Sequence, residues 1–378
     1  MLGDASPALA AALRSRRAIE LRYAPGGSAE ALREVEEAIA LARRSGDPGA
    51  LAAALEDASL VRWSVEDPEA WLALNREIAA AAREANDTEL LFQGVKGIAT
   101  AHLELGERPA FDEEMERCEQ IAAAHPSPLL RAVVSGLRGA RAFLDGDLDA
   151  AERFAIEGAS AGRDSVTPLA AGQLYYHRLE TGRLAETLDA VRSFAAESPG
   201  IAIWPIASAR ALVACGRTNE ARAALRSVGR LATIPKDRNW LSAVALFAES
   251  AVLLGDRDAM REAREALAPH ARVNVVMGNG SLFAGQTAHY LGMLCTALGE
   301  RREAKAYFDR ALRMHRAMRS EPWCLRTQAE QLHLAASEAD APPDPSAAAS
   351  TIERAEALGM VSCADRARAA IEGTGEGG

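Results

Sequence analysis

The chain has 378 residues, 49% of them hydrophobic, and 43 basic against 53 acidic side chains leave a net charge of -10. An acidic chain without a basic block is poorly suited to holding nucleic acid or an anionic membrane through its overall field, and no apolar run approaches the ~18 residues of a spanning helix. The five cysteines, Cys118, Cys215, Cys295, Cys324 and Cys363, lie far apart without C-x-x-C spacing, which points to free thiols in a reducing cytoplasm and away from disulfides or a zinc site.

In chain order, residues 6–23 read as a first helix, interrupted in its apolar character by Arg14, Arg16 and Arg17, so it does not read as a signal peptide. It stops before Pro25-Gly26-Gly27. Ser28 is placed to cap a helix over 29–45, and a pair follows over 49–65 and 68–85, turning at Glu66-Asp67-Pro68. Asp87 opens another pair, which turns at Gly106 and continues through Phe111, Met115 and Cys118. Glycine then recurs as punctuation at Gly146, Gly182, Gly216, Gly255 and Gly299, with successive spacings from Gly106 of 40, 36, 34, 39 and 44 residues. Glu321-Pro322-Trp323 starts a further helix, and the proline-rich run 341–345 reads as a loop within one helix pair. Helices near 346–358 and 361–372 end the array, with 373–378 expected to be a disordered tail.

The stretch 284–312 carries Leu291, Gly292, Ala304, Phe308 and Ala311 around a turn at Gly299. Small residues at Gly292, Ala304 and Ala311 let two antiparallel helices approach, and Phe308 fills the space they leave. These are the offsets of a tetratricopeptide (TPR) unit, and a period wandering around ~34 to ~45 residues belongs to helix-hairpin repeats. Such a hairpin cannot bury its own apolar face, so it needs neighbours on both sides. The expected fold is all-α, one domain over 1–372 forming a right-handed superhelix of about nine TPR-like hairpins.

The C-terminal hundred residues resemble a narrower group. Gly278-Asn-Gly-Ser-Leu-Phe-Ala-Gly285, His289-Tyr-Leu-Gly292, Met318-Arg319, the stretch from Glu321-Pro-Trp323 to Arg326-Thr-Gln328, and Ile352 to Met360 with Ala364 to Ala369 are similar to the tail of large bacterial regulators. Those proteins join an ATPase module, and often a cyclase or a winged or LuxR-type DNA-binding module, to a C-terminal TPR-like sensor. This sequence contains no G-x-x-x-x-G-K-[ST] motif and no helix-turn-helix after Met360. The resemblance therefore implies a sensor or scaffold without the ATPase and DNA-reading activities.

In a TPR array the first helix of each pair lines the concave wall. Counting from Gly292, the residues expected to face a groove are Gln286, His289 and Thr296, with Glu56, Trp63, Gln93, Lys96, Thr100, Tyr176, Arg210 and Glu249 at matching offsets. Tyr176 and Trp204 are expected to flank a single pocket near Arg210, although aromatics also simply fill gaps between alanine-rich helices. Gly278-Asn279-Gly280-Ser281 lacks the lysine of a phosphate loop and reads as a helix-to-helix turn. The histidines show no metal-ligand spacing, and no cofactor is implied. Two functional readings follow. One is a non-catalytic, regulatory module binding a peptide, partner protein or small effector in its groove, with self-association into a homodimer through terminal repeats as an overlapping role. The other is an enzyme on the same scaffold, with Glu56, Glu249 and His289 serving as acid or base around a largely apolar substrate.

Overall fold

Three joints of this chain use a two-residue device, a glycine that ends one helix followed by an aspartate that caps the next. Helix α1 (Pro7–Tyr23) is followed by α2 (Ser28–Ser45), which stops at Gly46, and Asp47 then receives the Gly49 amide at 2.8 Å as α3 (Pro48–Arg62) begins. Further on, Asp147 and Asp256 accept from Ala150 and Ala259 at 2.9 and 3.1 Å, directly after Gly146 and Gly255. Each carboxylate satisfies an amide that the new helix leaves without an internal partner.

The computed structural model describes residues 6–23, 27–62, 65, 67–160, 167–198, 200–278, 280–337 and 343–372. Trp63 and the 373–378 tail lie outside them. Nineteen helices and two short strands are found among the described residues, and the chain divides into two compact units, Met1–Val134 and Ser135–Gly378.

In the first unit α4 (Pro68–Glu84), α5 (Thr88–Leu105) and α6 (Arg108–Ala124) continue the series, and α7 (Pro128–Asp145) crosses the boundary. Consecutive helices pack in pairs, with α1 on α3 and α3 on α5 as well, the nearest-neighbour arrangement of a helical repeat. Helices α4 and α5 approach closely because Gly94 lies under the Ala79 backbone, where a Cβ would come within 2.7 Å of the Ala79 nitrogen.

The second unit runs through α8 (Leu148–Ala159), α9 (Thr167–Glu180), α10 (Leu188–Glu197), α11 (Ile203–Ala214), α12 (Thr218–Ser227), α13 (Trp240–Leu254) and α14 (Arg257–Leu267). After the strands β1 (Asn274–Met277) and β2 (Leu282–Gln286) come α15 (Thr287–Leu298), α16 (Arg301–Ala317), α17 (Glu321–Ala336), α18 (Pro345–Ala357) and α19 (Val361–Glu372). The odd helices neighbour one another from α11 to α19, and α19 returns to pack on α9, so within this unit the series closes on itself.

The run 274–286 corrects one expectation. Gly278 and Gly280, both at positive φ, make the turn of an antiparallel β-hairpin and not a helix-to-helix connection. Val276 pairs with Phe283 and Met277 with Leu282, and every residue of both strands is buried. Gln173 donates to the Ser281 carbonyl at 2.5 Å and Ser242 to that of Val276 at 3.3 Å, so helices α9 and α13 hold the hairpin inside the unit. Gly285, at φ +75, lies directly against the indole of Trp323, which is itself fully buried and donates to the Phe283 carbonyl at 3.2 Å. The two strands are an insertion in a body that is otherwise all-α.

Candidate functional site

Six helices of the second unit, all odd-numbered, supply the wall of one cavity of about 150 Å³. Leu179 and Glu180 come from α9, Arg210 from α11, Glu249, Val252 and Leu253 from α13, and His289 and Met293 from α15. Arg326, Ala329 and Glu330 come from α17, and Ser362, Cys363 and Arg366 from α19. The Ser362 hydroxyl donates to the Leu179 carbonyl at 2.6 Å and ties the last helix of the unit to α9.

The charged residues in this wall form a closed set. Arg326 donates to Glu180 and, through Nη2, to Glu249 at 2.5 Å, and its guanidinium lies 4.6 Å from the centre of the Trp323 ring. Burial works against its charge, but the Glu180 and Glu249 carboxylates outweigh that and hold its pKa well above the ordinary value. The second oxygen of Glu249 receives Arg210 Nε at 3.4 Å, while Arg366 grips Glu330 with two parallel bonds of 2.8 and 2.9 Å. Three arginines thus balance three glutamates.

A chain of hydrogen bonds behind this set fixes the state of His289. The Gln286 amide can only donate, and it donates to His315 Nε2 at 2.9 Å. Burial lowers the His315 pKa to about 3, so the ring is neutral and its proton sits on Nδ1, which faces the Thr327 hydroxyl at 3.1 Å. The Thr327 hydroxyl also lies 3.0 Å from His289 Nδ1, and we assign its proton to that nitrogen. Burial, and then the positive charge of Arg326, keep the His289 pKa well below normal. His289 is therefore neutral; on this assignment its proton lies on Nε2, an atom with no hydrogen-bond partner in a fully buried side chain.

The structure brings Arg210, Glu249 and His289 together in this cavity, three of the residues that repeat offsets select. Tyr176 and Trp204 line a neighbouring, more apolar cavity of about 280 Å³, where Trp204 stacks on Phe194 at 4.7 Å. Arg210 is not among the residues lining that second cavity. Gln286 is misplaced by helical counting: it ends strand β2, sits buried just before α15, and donates to the Arg272 carbonyl at 3.3 Å. Glu56, Gln93 and Lys96 belong to the first unit, half-buried, with Lys96 Nζ on Gln93 Oε1 at 2.5 Å. Thr100 and Thr296 turn their hydroxyls back to the carbonyls of Lys96 and Gly292.

Offset counting missed Glu180, Arg326, Glu330 and Arg366, and it missed the pair His315 and Thr327 behind His289. One signal for them was available: Arg326 and Glu330 lie one turn apart on α17, a charged pair on a helix that otherwise buries Trp323, Leu325, Ala329 and Leu332. Neither protein-family models nor curated proteins give a match to this chain.

Proposed function

We propose that the chain is a TPR-like binding module, regulatory and non-catalytic, that holds a small effector or the end of a peptide in the cavity of its second unit. The observation carrying this reading is the convergence of six helices, one face each, on a cavity lined by paired charges of both signs and an unpartnered histidine N–H. A cavity of about 150 Å³ is the size class that admits a ligand of some six to eight non-hydrogen atoms.

Acid–base chemistry draws less support from the same geometry. His289 has no free lone pair, since Nδ1 accepts from Thr327 and Nε2 is protonated, and Glu249 is shared between two arginines. Burial pushes the Cys363 thiol up to about 12, which removes it as a nucleophile. The resemblance to the sensor tails of ATPase-linked regulators agrees with a binding role, and a repeat of stacked hairpins is the architecture we assign to it.

Native mass spectrometry after incubation with a small-metabolite mixture and a tripeptide mixture tests the reading. A compound should be retained by the wild type, be lost from a cavity-filling Ala329→Phe variant, and be released chemically unchanged. Release of a converted compound would establish the enzyme instead. Equal retention by both proteins would remove the cavity from consideration.

A further inference from the structure

We infer that the cavity selects an uncharged carbonyl compound with a short aliphatic body, whose oxygen accepts from His289 Nε2–H and from the terminal nitrogens of Arg210. This rests on the cavity being a ligand site and adds the chemical class of the ligand.

Most polar groups of the cavity wall are already committed. Glu180, Glu249 and Glu330 each already accept from an arginine, and Arg326 and Arg366 each spend two nitrogens on them. Ser362 is bonded to a carbonyl. Two groups remain: Arg210, which uses only Nε, and His289, whose Nδ1 edge is held by Thr327 so that the Nε2 edge is left for the cavity its ring lines. Both are donors. A buried donor without an acceptor, as His289 Nε2–H is, costs roughly 1–3 kcal/mol, so a ligand oxygen that reaches it recovers that cost, with the partly exposed Arg210 as the second donor.

Charge balance then chooses among acceptors. With three arginines against three glutamates the wall is already neutral, and a carboxylate would bring a desolvated negative charge beside three others with no cation left over to match it. An ammonium group could reach the carboxylates, but it would add a positive charge to a neutral wall and leave the two open donors unpaired. A ketone or amide oxygen satisfies the donors and adds no charge. Leu179, Val252, Leu253 and Met293 provide the apolar surface for a branched chain of a few carbons.

The test uses the whole protein and four probes sharing one isobutyl group: methyl isobutyl ketone, isovaleramide, isovalerate and isoamylamine. Calorimetric titration gives affinities, and proton–nitrogen correlation spectra of histidine-labelled protein report the His289 Nε2–H directly. The ketone and the amide should bind, shift the His289 Nε2 signal, and lose roughly tenfold in affinity in Arg210→Gln and in His289→Phe. Thr327→Val covers the case in which His289→Phe fails to fold: it keeps the ring, frees the tautomer, and should weaken the ketone while splitting the His289 signals. Tighter binding of isovalerate or isoamylamine overturns the inference but leaves the cavity as a ligand site. Ketone affinity unchanged in all three variants also overturns it. If none of the four probes moves His289, the inference fails, and retention in the mass-spectrometric comparison decides the cavity separately.

Discussion

Gly292 shows how one residue sets the distance between two helices. A Cβ built on it would fall inside the ring of Phe308, so α15 and α16 meet at this separation only because position 292 has no side chain. Gly292→Ala should cost ~1–3 kcal/mol in urea unfolding through overpacking, and Phe308→Leu in the same background should return part of that loss by vacating the space. Reactivity at single cysteines follows the same local logic. Burial, the leading cause at each, pushes Cys118, Cys295 and Cys363 up to about 12 and Cys324 to about 11, while Cys215 is exposed. A thiol-exchange reagent at roughly pH 8 should therefore consume one thiol quickly in the native protein and the other four only after unfolding, since the thiolate is the reacting species. Trypsin mapping of the labelled peptide should place the fast label at Cys215.

At the scale of the element, α17 does more than pack. Within two turns it presents Trp323 to the β-hairpin, Arg326 to Glu180 and Glu249, Thr327 to two histidines, and Glu330 to Arg366. Arg326→Met keeps the volume and the contact with Trp323 but leaves the buried Glu180 carboxylate without its cation and Glu249 with Arg210 alone, which should cost ~3–5 kcal/mol. Glu180→Gln in that background should recover much of it, and no recovery would show that the loss does not come from a stranded Glu180 carboxylate. Helix positions were legible in the sequence because many joints carry a glycine at positive φ, as Gly299 does at +87, and some add a capping aspartate, as Asp47, Asp147 and Asp256 do. The hairpin was not legible, because strands of four and five residues buried on both sides show no alternation. For that reason helical counting gives Gln286 a helix face, whereas it ends strand β2. The return of α19 to α9 was equally hidden, since Ser362 and Leu179 are 183 residues apart and nothing local in either helix specifies the other.

At the scale of the whole molecule, the two units should respond to acid in opposite directions. In the first unit, burial, and after it the neighbouring Glu56 carboxylate, raise Asp57 from 3.8 to about 6. Its folded form then holds a proton that the unfolded chain has already released, so its contribution is complete below about pH 4 and is lost as pH rises through about 6. In the second unit His289 and His315 are held below 6.5, the latter to about 3. Their unfolded forms take up protons that the folded forms refuse, so their contribution is present above about pH 6.5 and drains away as pH falls. At pH 5.5 each histidine should already cost the second unit on the order of 1 kcal/mol relative to neutral pH. Hydrogen exchange corrected for intrinsic rates, compared between about pH 5.5 and 7.5, should show protection in α15, α16 and α17 falling on acidification while that in α3 rises. Asp57→Asn should flatten the first trend and leave the second, whereas His315→Gln should reduce the second and leave the first. Protection that moves in the same direction in both units, or an α3 trend unchanged by Asp57→Asn, would mean that groups other than these govern the response to pH.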